Sequence, residues 1–160
     1  MLLEILQSKN LLLNWPNTVI KNCSYLTIMG SEAYGMSTNT SDKDVYGFFV
    51  PELSDIFPHL RGEIPGFGPP HNAATVYSQH HIQDDFEYDI TVYSLIKYFN
   101  LLADCNPSMV DSIFTDDKLV LHTSPVAKLV RENRKTFLHK GAYHRYLGYA
   151  HSQMKKIRNK

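Results

Sequence analysis

The residues best suited to do chemistry lie between positions 30 and 50, where a Gly-Ser pair precedes two closely spaced aspartates. Asp42 and Asp44 are two residues apart, so on an extended strand both carboxylates point to one face, with backbones about 6 to 7 Å apart. Carboxylate oxygens without nearby cysteines or clustered histidines favour Mg²⁺ or Mn²⁺ over zinc. The spacing therefore indicates a divalent-metal site, although Ser-Asp-Lys-Asp is also common turn chemistry.

Two metal ions would need a third carboxylate, and the segment FEYDITV at residues 86–92 offers candidates. Its residues alternate, with Phe86, Tyr88, Ile90 and Val92 on one face and Glu87, Asp89 and Thr91 on the other. This alternation predicts a half-buried strand with an acidic face. On spacing alone, either Glu87 or Asp89 is the third ligand.

The Gly30-Ser31 pair follows an apolar segment and suits a phosphate group. Glycine lets backbone N–H groups approach a phosphate closely, and the serine hydroxyl can donate one more hydrogen bond. His80 and His81 are adjacent on a predicted strand, so we expect their side chains on opposite faces. We interpret them as surface or hydrogen-bonded histidines and not as ligands of one metal.

The elements that must position these residues follow from the apolar periodicity. Helical spacing predicts a first helix over residues 2–13, and residues 23–29 and 45–50 read as strands. Residues 51–74 are rich in proline and glycine, which predicts an irregular segment. Four helices are then predicted: one from Tyr93 to Asn106, one from Pro107, one capped by Ser124-Pro125, and a closing helix marked by Tyr143, Leu147, Ala150, Met154 and Ile157. This order predicts an α+β fold with a small mixed sheet.

Composition and charge limit the class of protein. With 160 residues and 43% hydrophobic content, the chain can close one core, which excludes whole-chain disorder, collagen and coiled coil. Its apolar runs are far shorter than a membrane span, and no leader is evident, so we expect a cytoplasmic protein without a membrane partner. Residues 1–127 carry six basic and fifteen acidic side chains, and residues 128–160 carry ten and one. The basic segment either faces phosphate groups or pairs with the acidic part of its own domain.

The combined pattern resembles the DNA polymerase beta superfamily of nucleotidyltransferases, whose signature is a Gly-Ser turn and an Asp-x-Asp pair leading into an apolar strand. Several stretches are similar to one of its families, the RNA repair pathway DNA polymerase beta family of predicted nucleotidyltransferases in bacteria and phages. They are GSEAYG (30–35), SDKDVYGFFVP (41–51), DITVYSLIKYF (89–99), NP (106–107), FLHK (137–140) and GYAHSQMKK (148–156). Two departures are Asp111, where members usually have glutamate, and the end of the chain at Lys160, where they usually continue into further helices.

The resemblance implies a role for each matching position. Asp42 and Asp44 would hold the nucleotide-bound metal, and Asp89 would be the third carboxylate, which holds a second metal and helps to deprotonate the acceptor hydroxyl. Gly30 and Ser31 would hold phosphate, and Ser41 belongs to the same nucleotide-binding motif. Further contacts to the triphosphate are expected from basic side chains, for which the candidates are Lys97, Arg145, Lys155 and Lys156.

The function so implied is a metal-dependent nucleotidyltransferase with Mg²⁺ or Mn²⁺ as cofactor and a nucleoside triphosphate such as ATP as substrate. It would transfer a nucleoside monophosphate to a hydroxyl, with RNA or another nucleic acid as the acceptor, and release pyrophosphate. The alternative is a non-catalytic nucleotide- or nucleic-acid-binding module with the same fold. We expect a catalytic core over residues 1–123 and a basic helical segment over 124–160, packed on the same domain or beginning a further helical domain.

Overall fold

A five-stranded mixed sheet forms the centre of the protein, and the computed structural model describes residues 1–38, 41–57 and 76–158. The strands are β1 (Cys23–Ile28), β2 (Lys43–Phe49), β3 (Val76–Gln83), β4 (Glu87–Ser94) and β5 (Val120–Thr123). Their order is β3-β4-β2-β1-β5, in which β2 and β4 are parallel and the other neighbours antiparallel. The mixed sheet with its helices confirms the predicted α+β class.

Eight α-helices accompany the sheet in the described ranges. They are α1 (Leu2–Ser8), α2 (Asn17–Lys21), α3 (Gly30–Ala33), α4 (Leu53–Ile56), α5 (Leu95–Ala103), α6 (Pro107–Phe114), α7 (Pro125–Glu132) and α8 (Gly141–Arg158). The predicted cap of α7 is confirmed, because the Ser124 hydroxyl accepts a hydrogen bond from the Ala127 N–H. Of the irregular segment predicted over 51–74, residues 58–74 lie outside the described residues.

The two faces of the sheet are covered by different helices. Val45 and Ile90 pack on one face against Leu3 and Leu6 of α1. On the other face, the core is built from Tyr25 and Phe48 of the strands with residues of α5, α6 and α7: Tyr98, Leu102, Met109, Val110, Ile113, Ala127 and Val130. The predicted alternation in β4 is confirmed, since Ile90 and Val92 are fully buried while Asp89 and Thr91 are partly exposed on the opposite face.

Helix α7 is attached to the sheet by a buried arginine. The Arg131 guanidinium donates to the Tyr25 hydroxyl at 2.5 Å, to the Thr115 carbonyl at 2.8 Å and to the Asp117 carboxylate at 2.6 Å. A buried guanidinium is tolerated only when its donors find such acceptors. The start of the basic C-terminal segment is therefore packed on the same core as the sheet.

The first helix is shorter than predicted, because the chain turns at two asparagines. Asn10 and Asn14 have φ values of 58° and 60°, in the left-handed region that asparagine tolerates better than most residues. The turn is fixed by Gln79 of β3, whose side chain accepts from the Leu13 N–H and donates to the Leu11 carbonyl, both at 2.8 Å. The apolar residues at 11–13 thus belong to a loop.

The closing helix α8 forms as predicted, but none of its described residues is buried. Its apolar stripe faces solvent, with Tyr143 68% and Ile157 74% exposed. Tyr146 is the partly buried contact to the core beneath it. Within the described ranges, α8 and the other helices are all too short or too polar to cross a membrane.

Candidate active site

The pairing of β2 with β4 brings two of the predicted carboxylates together. In this parallel pair Asp44 lies directly opposite Asp89. Residues opposite each other on adjacent strands point to the same face and have backbones about 4.8 Å apart. Both aspartates are partly exposed, and they lie at the open end of the sheet face whose other end is filled by Phe48 and α5.

Asp42 precedes β2 by one residue and is exposed. Its charge nevertheless reaches Asp44. The pKa of Asp44 is raised above its usual value, first by partial burial and then by the negative charges of Asp42 and Asp89. The three aspartates therefore form one electrostatically coupled group, here named the aspartate group.

Gly30 lies directly against this group. Its φ is 61°, in the region that favours glycine. A Cβ atom added to it would lie 1.9 Å from Oδ2 of Asp44, so any other residue at position 30 would displace this carboxylate. The Met29 N–H donates to the Asp44 carbonyl at 2.7 Å and fixes the end of β1 beside the start of β2. The Gly30-Ser31 pair of the sequence motif is thus placed next to the Asp-x-Asp pair.

Asp89 is held by two histidines of β3. Its Oδ2 contacts Nδ1 of His80 at 2.9 Å, and its Oδ1 accepts from the His81 backbone N–H at 2.8 Å. Partial burial raises the pKa of Asp89, but these bonds and the nearby histidines outweigh burial and bring it below the usual value. Asp89 is therefore ionised at neutral pH.

The expectation that His80 and His81 point to opposite faces is wrong. The register of β3 against β4 shifts between Gln79 and Ile82, and His81 has a φ of 56°, so a bulge interrupts the alternation. As a result His80 contacts Asp89 while His81 contacts Glu87 at 2.5 Å, on the same side of β4. Their interpretation as surface, hydrogen-bonded histidines is confirmed.

One group of metal-ligating atoms is compact in the described part of the chain. Ligating atoms of His81, Glu87 and Asp89 lie within 4.8 Å of one another. Asp89 is thus shared between this group and the aspartate group. The aspartate group offers the oxygen donors that a hard divalent cation prefers, and glycine at position 30 lets the Asp44 carboxylate lie where a Cβ atom would otherwise be.

A further contact joins three elements that are distant in sequence. The Tyr34 hydroxyl, just after α3, donates to Asp111 Oδ2 at 2.5 Å, and the Tyr146 hydroxyl of α8 donates to Asp111 Oδ1 at 2.7 Å. The sequence contains Tyr34 and Asp111 within recognisable motifs, but no periodicity relates residues 77 positions apart. We name this contact the Asp111 clamp.

The remaining predicted residues are more dispersed. Ser41 lies in the turn before β2, where its hydroxyl accepts from the Thr38 N–H at 2.9 Å. Lys97 is exposed in the first turn of α5. That helix follows the C-terminal end of β4, which lies about 16 Å along the strand from Asp89. Lys155 and Lys156 are exposed in the last turns of α8, and Arg145 is exposed near its start. Phosphate contacts by these basic residues stay a prediction.

Comparison with known proteins places these features in a family. The model of the RNA repair pathway DNA polymerase beta family matches residues 7–160. The chain is also 33% identical over 141 residues to a protein of Enterobacteria phage T4, the uncharacterized 38.9 kDa protein in the nrdC-mobD intergenic region. That match covers 87% of this chain but 38% of the phage protein, so the chain spans well under half of this relative's length. No solved structure matches the chain.

Proposed function

The chain belongs to the RNA repair pathway DNA polymerase beta family, and from this membership we propose that it is a nucleotidyltransferase that uses Mg²⁺ or Mn²⁺. In the proposed reaction a hydroxyl of an acceptor, RNA in the first instance, attacks the α-phosphorus of a nucleoside triphosphate. The nucleoside monophosphate is transferred and pyrophosphate leaves.

The observation that carries this proposal is the position of Asp44, opposite Asp89 on the parallel strand and in contact with Gly30. Partial burial and then repulsion from Asp42 and Asp89 raise the pKa of Asp44, and with it the cost of ionising this carboxyl group. Such a group is useful where a cation offsets the repulsion. Asp42, Asp44 and Asp89 would hold that cation, and when bound it would lower the pKa of the attacking hydroxyl and neutralise charge on the leaving pyrophosphate.

The chain's own residues would bind and orient the reactants. The backbone N–H groups of the turn at Gly30 and Ser31 can donate to a phosphate, and the Ser31 hydroxyl can donate to the same phosphate. Ionised Asp89 can accept the proton of the acceptor hydroxyl at Oδ2, the oxygen that now contacts His80. Holding both reactants for in-line attack would supply much of the rate enhancement.

The proposal is tested by incubating the protein with each labelled nucleoside triphosphate, Mg²⁺ and a pool of RNA, DNA and proteins. We expect label to enter one acceptor class, with RNA first, and pyrophosphate to be released. Asp44→Asn and Asp89→Asn should each reduce transfer by about 100-fold or more. Asp85→Asn, in an exposed turn outside the site, is the matched control and should leave transfer unchanged.

The second candidate, a binding module without turnover, is favoured by the exposed basic end of α8. It predicts nucleotide or nucleic-acid binding by the wild type with no transfer to any acceptor in the pool. That outcome would contradict the catalytic proposal and leave the family membership untouched.

A further inference from the structure

We infer that Tyr34 is the platform on which the base of the nucleoside triphosphate stacks, and that Asp111 is the positioning residue that holds this ring in place. The inference rests on the proposed function, since it names where the base lies relative to the aspartate group. It adds a nucleobase subsite to a site otherwise argued only from its phosphate- and metal-binding groups.

The Asp111 clamp fixes the orientation of Tyr34. Both oxygens of the Asp111 carboxylate are occupied, one by the Tyr34 hydroxyl and one by that of Tyr146. Partial burial and the neighbouring carboxylate raise the pKa of both tyrosines, so both remain neutral hydrogen-bond donors. Because the hydroxyl of Tyr34 is hydrogen-bonded to Asp111 of α6, the ring is held in one position relative to that helix.

Tyr34 is joined to the aspartate group through the short helix α3, whose first residue, Gly30, contacts Asp44. Tyr34 caps the C-terminal end of α3, one helical turn after Gly30. Tyr46, two residues beyond Asp44 on the same face of β2, lies near enough to add, after burial and Asp111, to the raised pKa of Tyr34. A nucleotide whose phosphates reach Gly30 and Ser31 would therefore have Tyr34 beside it.

The ring is available for stacking. Tyr34 is 56% exposed although its hydroxyl is satisfied within the protein, an arrangement that leaves an aromatic surface open to solvent without an unpaired polar atom. A base stacks on such a surface through its π-face, which every base has. The platform should therefore strengthen binding of all four nucleoside triphosphates with little preference among them.

The first measurement uses the wild type alone, in Mg²⁺. We compare binding of a nucleoside triphosphate with that of ribose 5-triphosphate, which has the same phosphates and no base. The nucleoside triphosphate should bind about ten-fold more tightly, as expected for one stacked base. Equal affinities would overturn the inference. Failure to bind either compound would instead contradict the proposed function.

The second measurement replaces the ring. Tyr34→Leu should weaken binding of the nucleoside triphosphate about ten-fold and leave binding of ribose 5-triphosphate unchanged. Tyr34→Phe keeps the ring and should weaken binding of the nucleoside triphosphate less. Tyr143→Leu removes another exposed tyrosine, one that contacts His144, and is the matched control. If Tyr34→Leu weakens binding of both compounds equally, Tyr34 only supports the phosphate site, and the inference of a base platform is refuted.

The role of Asp111 is tested through the ratio of the two affinities, that for the nucleoside triphosphate over that for ribose 5-triphosphate. Asp111→Asn leaves one carbonyl acceptor for two hydroxyl donors, so it should reduce the preference for the nucleoside triphosphate over ribose 5-triphosphate. Asp111→Glu keeps both acceptor oxygens and should restore part of the preference. A variant series in which thermal stability changes but the preference does not would show that Asp111 is purely structural.

Discussion

Asp89 connects the features of the candidate site more than any other residue. It lies opposite Asp44, its Oδ2 contacts His80, and its Oδ1 accepts from the His81 backbone. Because both oxygens already have partners, its carboxylate is ordered before any cation or substrate binds. An ordered carboxylate loses little conformational entropy when it becomes a ligand, which favours binding.

Asp42 allows the aspartate group to be tested with little risk to the fold, because it is exposed and outside β2. We expect Asp42→Asn to abolish metal-dependent nucleotide binding and, without metal, to leave stability unchanged or raise it by less than about 1 kcal/mol. The gain would come from removing a charge that raises the pKa of Asp44. Calorimetry with Mg²⁺ and nucleotide checks binding, and thermal melts check stability.

The sign of the pH dependence follows from Asp44. A carboxyl group whose pKa is raised by folding stabilises the protein while protonated, and that contribution is lost as the pH rises through the raised pKa. The stability gained by Asp42→Asn should therefore appear at neutral pH and disappear at acidic pH, where Asp44 is protonated in the variant and in the wild type. A strong drop in melting temperature at neutral pH without metal would instead identify Asp42 as a structural turn residue.

Among the elements, the bulge in β3 has the largest effect on the candidate site. By turning His81 through a left-handed conformation, it places two consecutive histidines on the same side as Glu87 and Asp89. A regular strand would have directed one of them to the opposite face. The bulge thus supplies partners for the acidic face of β4 at the edge of the sheet.

We expect the ion pair formed across this bulge to be visible by titration. The bond to Glu87, with that residue's charge, raises the pKa of His81 above 6.5, and the same bond lowers the pKa of Glu87 below 4.5. The His81 contribution to stability is lost as the pH rises through its raised pKa, and the Glu87 contribution as the pH falls through its lowered one. The pair should therefore stabilise most between pH 4.5 and 6.5.

NMR titration of the imidazole protons measures this directly. The pKa of His81 should exceed its ordinary value in the wild type and fall back towards it in Glu87→Gln. His80→Gln, which leaves the bond between His81 and Glu87 in place, is the control. Identical titration of His81 in the wild type and Glu87→Gln would show that the ion pair does not form in solution.

At the scale of the whole molecule, charge is divided between the two ends of the chain. Residues 1–127 have a formal charge of about −9 and residues 128–160 about +9. Within the described residues, Arg131 at the beginning of the basic segment is buried and paired with Asp117. The last turns of α8 keep Lys155 and Lys156 exposed. This division favours a polyanionic partner at α8 over pairing within the domain.

We expect Lys155→Ala combined with Lys156→Ala to weaken RNA binding and to reduce the slope of log affinity against log salt by about two, if both lysines contact phosphates. Binding measured over a salt series checks this. Lys21→Ala with Lys118→Ala removes the same charge from other parts of the surface and is the control. Equal effects of the two double variants would mean that only net charge matters and that α8 makes no specific contact.

The sequence by itself determined the local features. The alternation of β4, the Ser124 cap of α7 and the closing helix α8 depend on neighbouring residues and formed as predicted. The Asp-x-Asp pair was also identifiable from its spacing, whereas the strand that the spacing implied begins at Lys43, so Asp44 lies on β2 and Asp42 just before it.

Only the tertiary structure decided which distant residues meet. Asp44 lies opposite Asp89 because β2 and β4 pair in parallel with one particular register, and no periodicity encodes a register between separate strands. The short α1, the bulge at His81 and the Asp111 clamp likewise depend on contacts between elements: Gln79 holds the loop after α1, Asp89 accepts from the His81 N–H, and Asp111 binds two tyrosines. The exposed stripe of α8 has the same origin, since helical spacing predicts an apolar face and only packing determines what covers it.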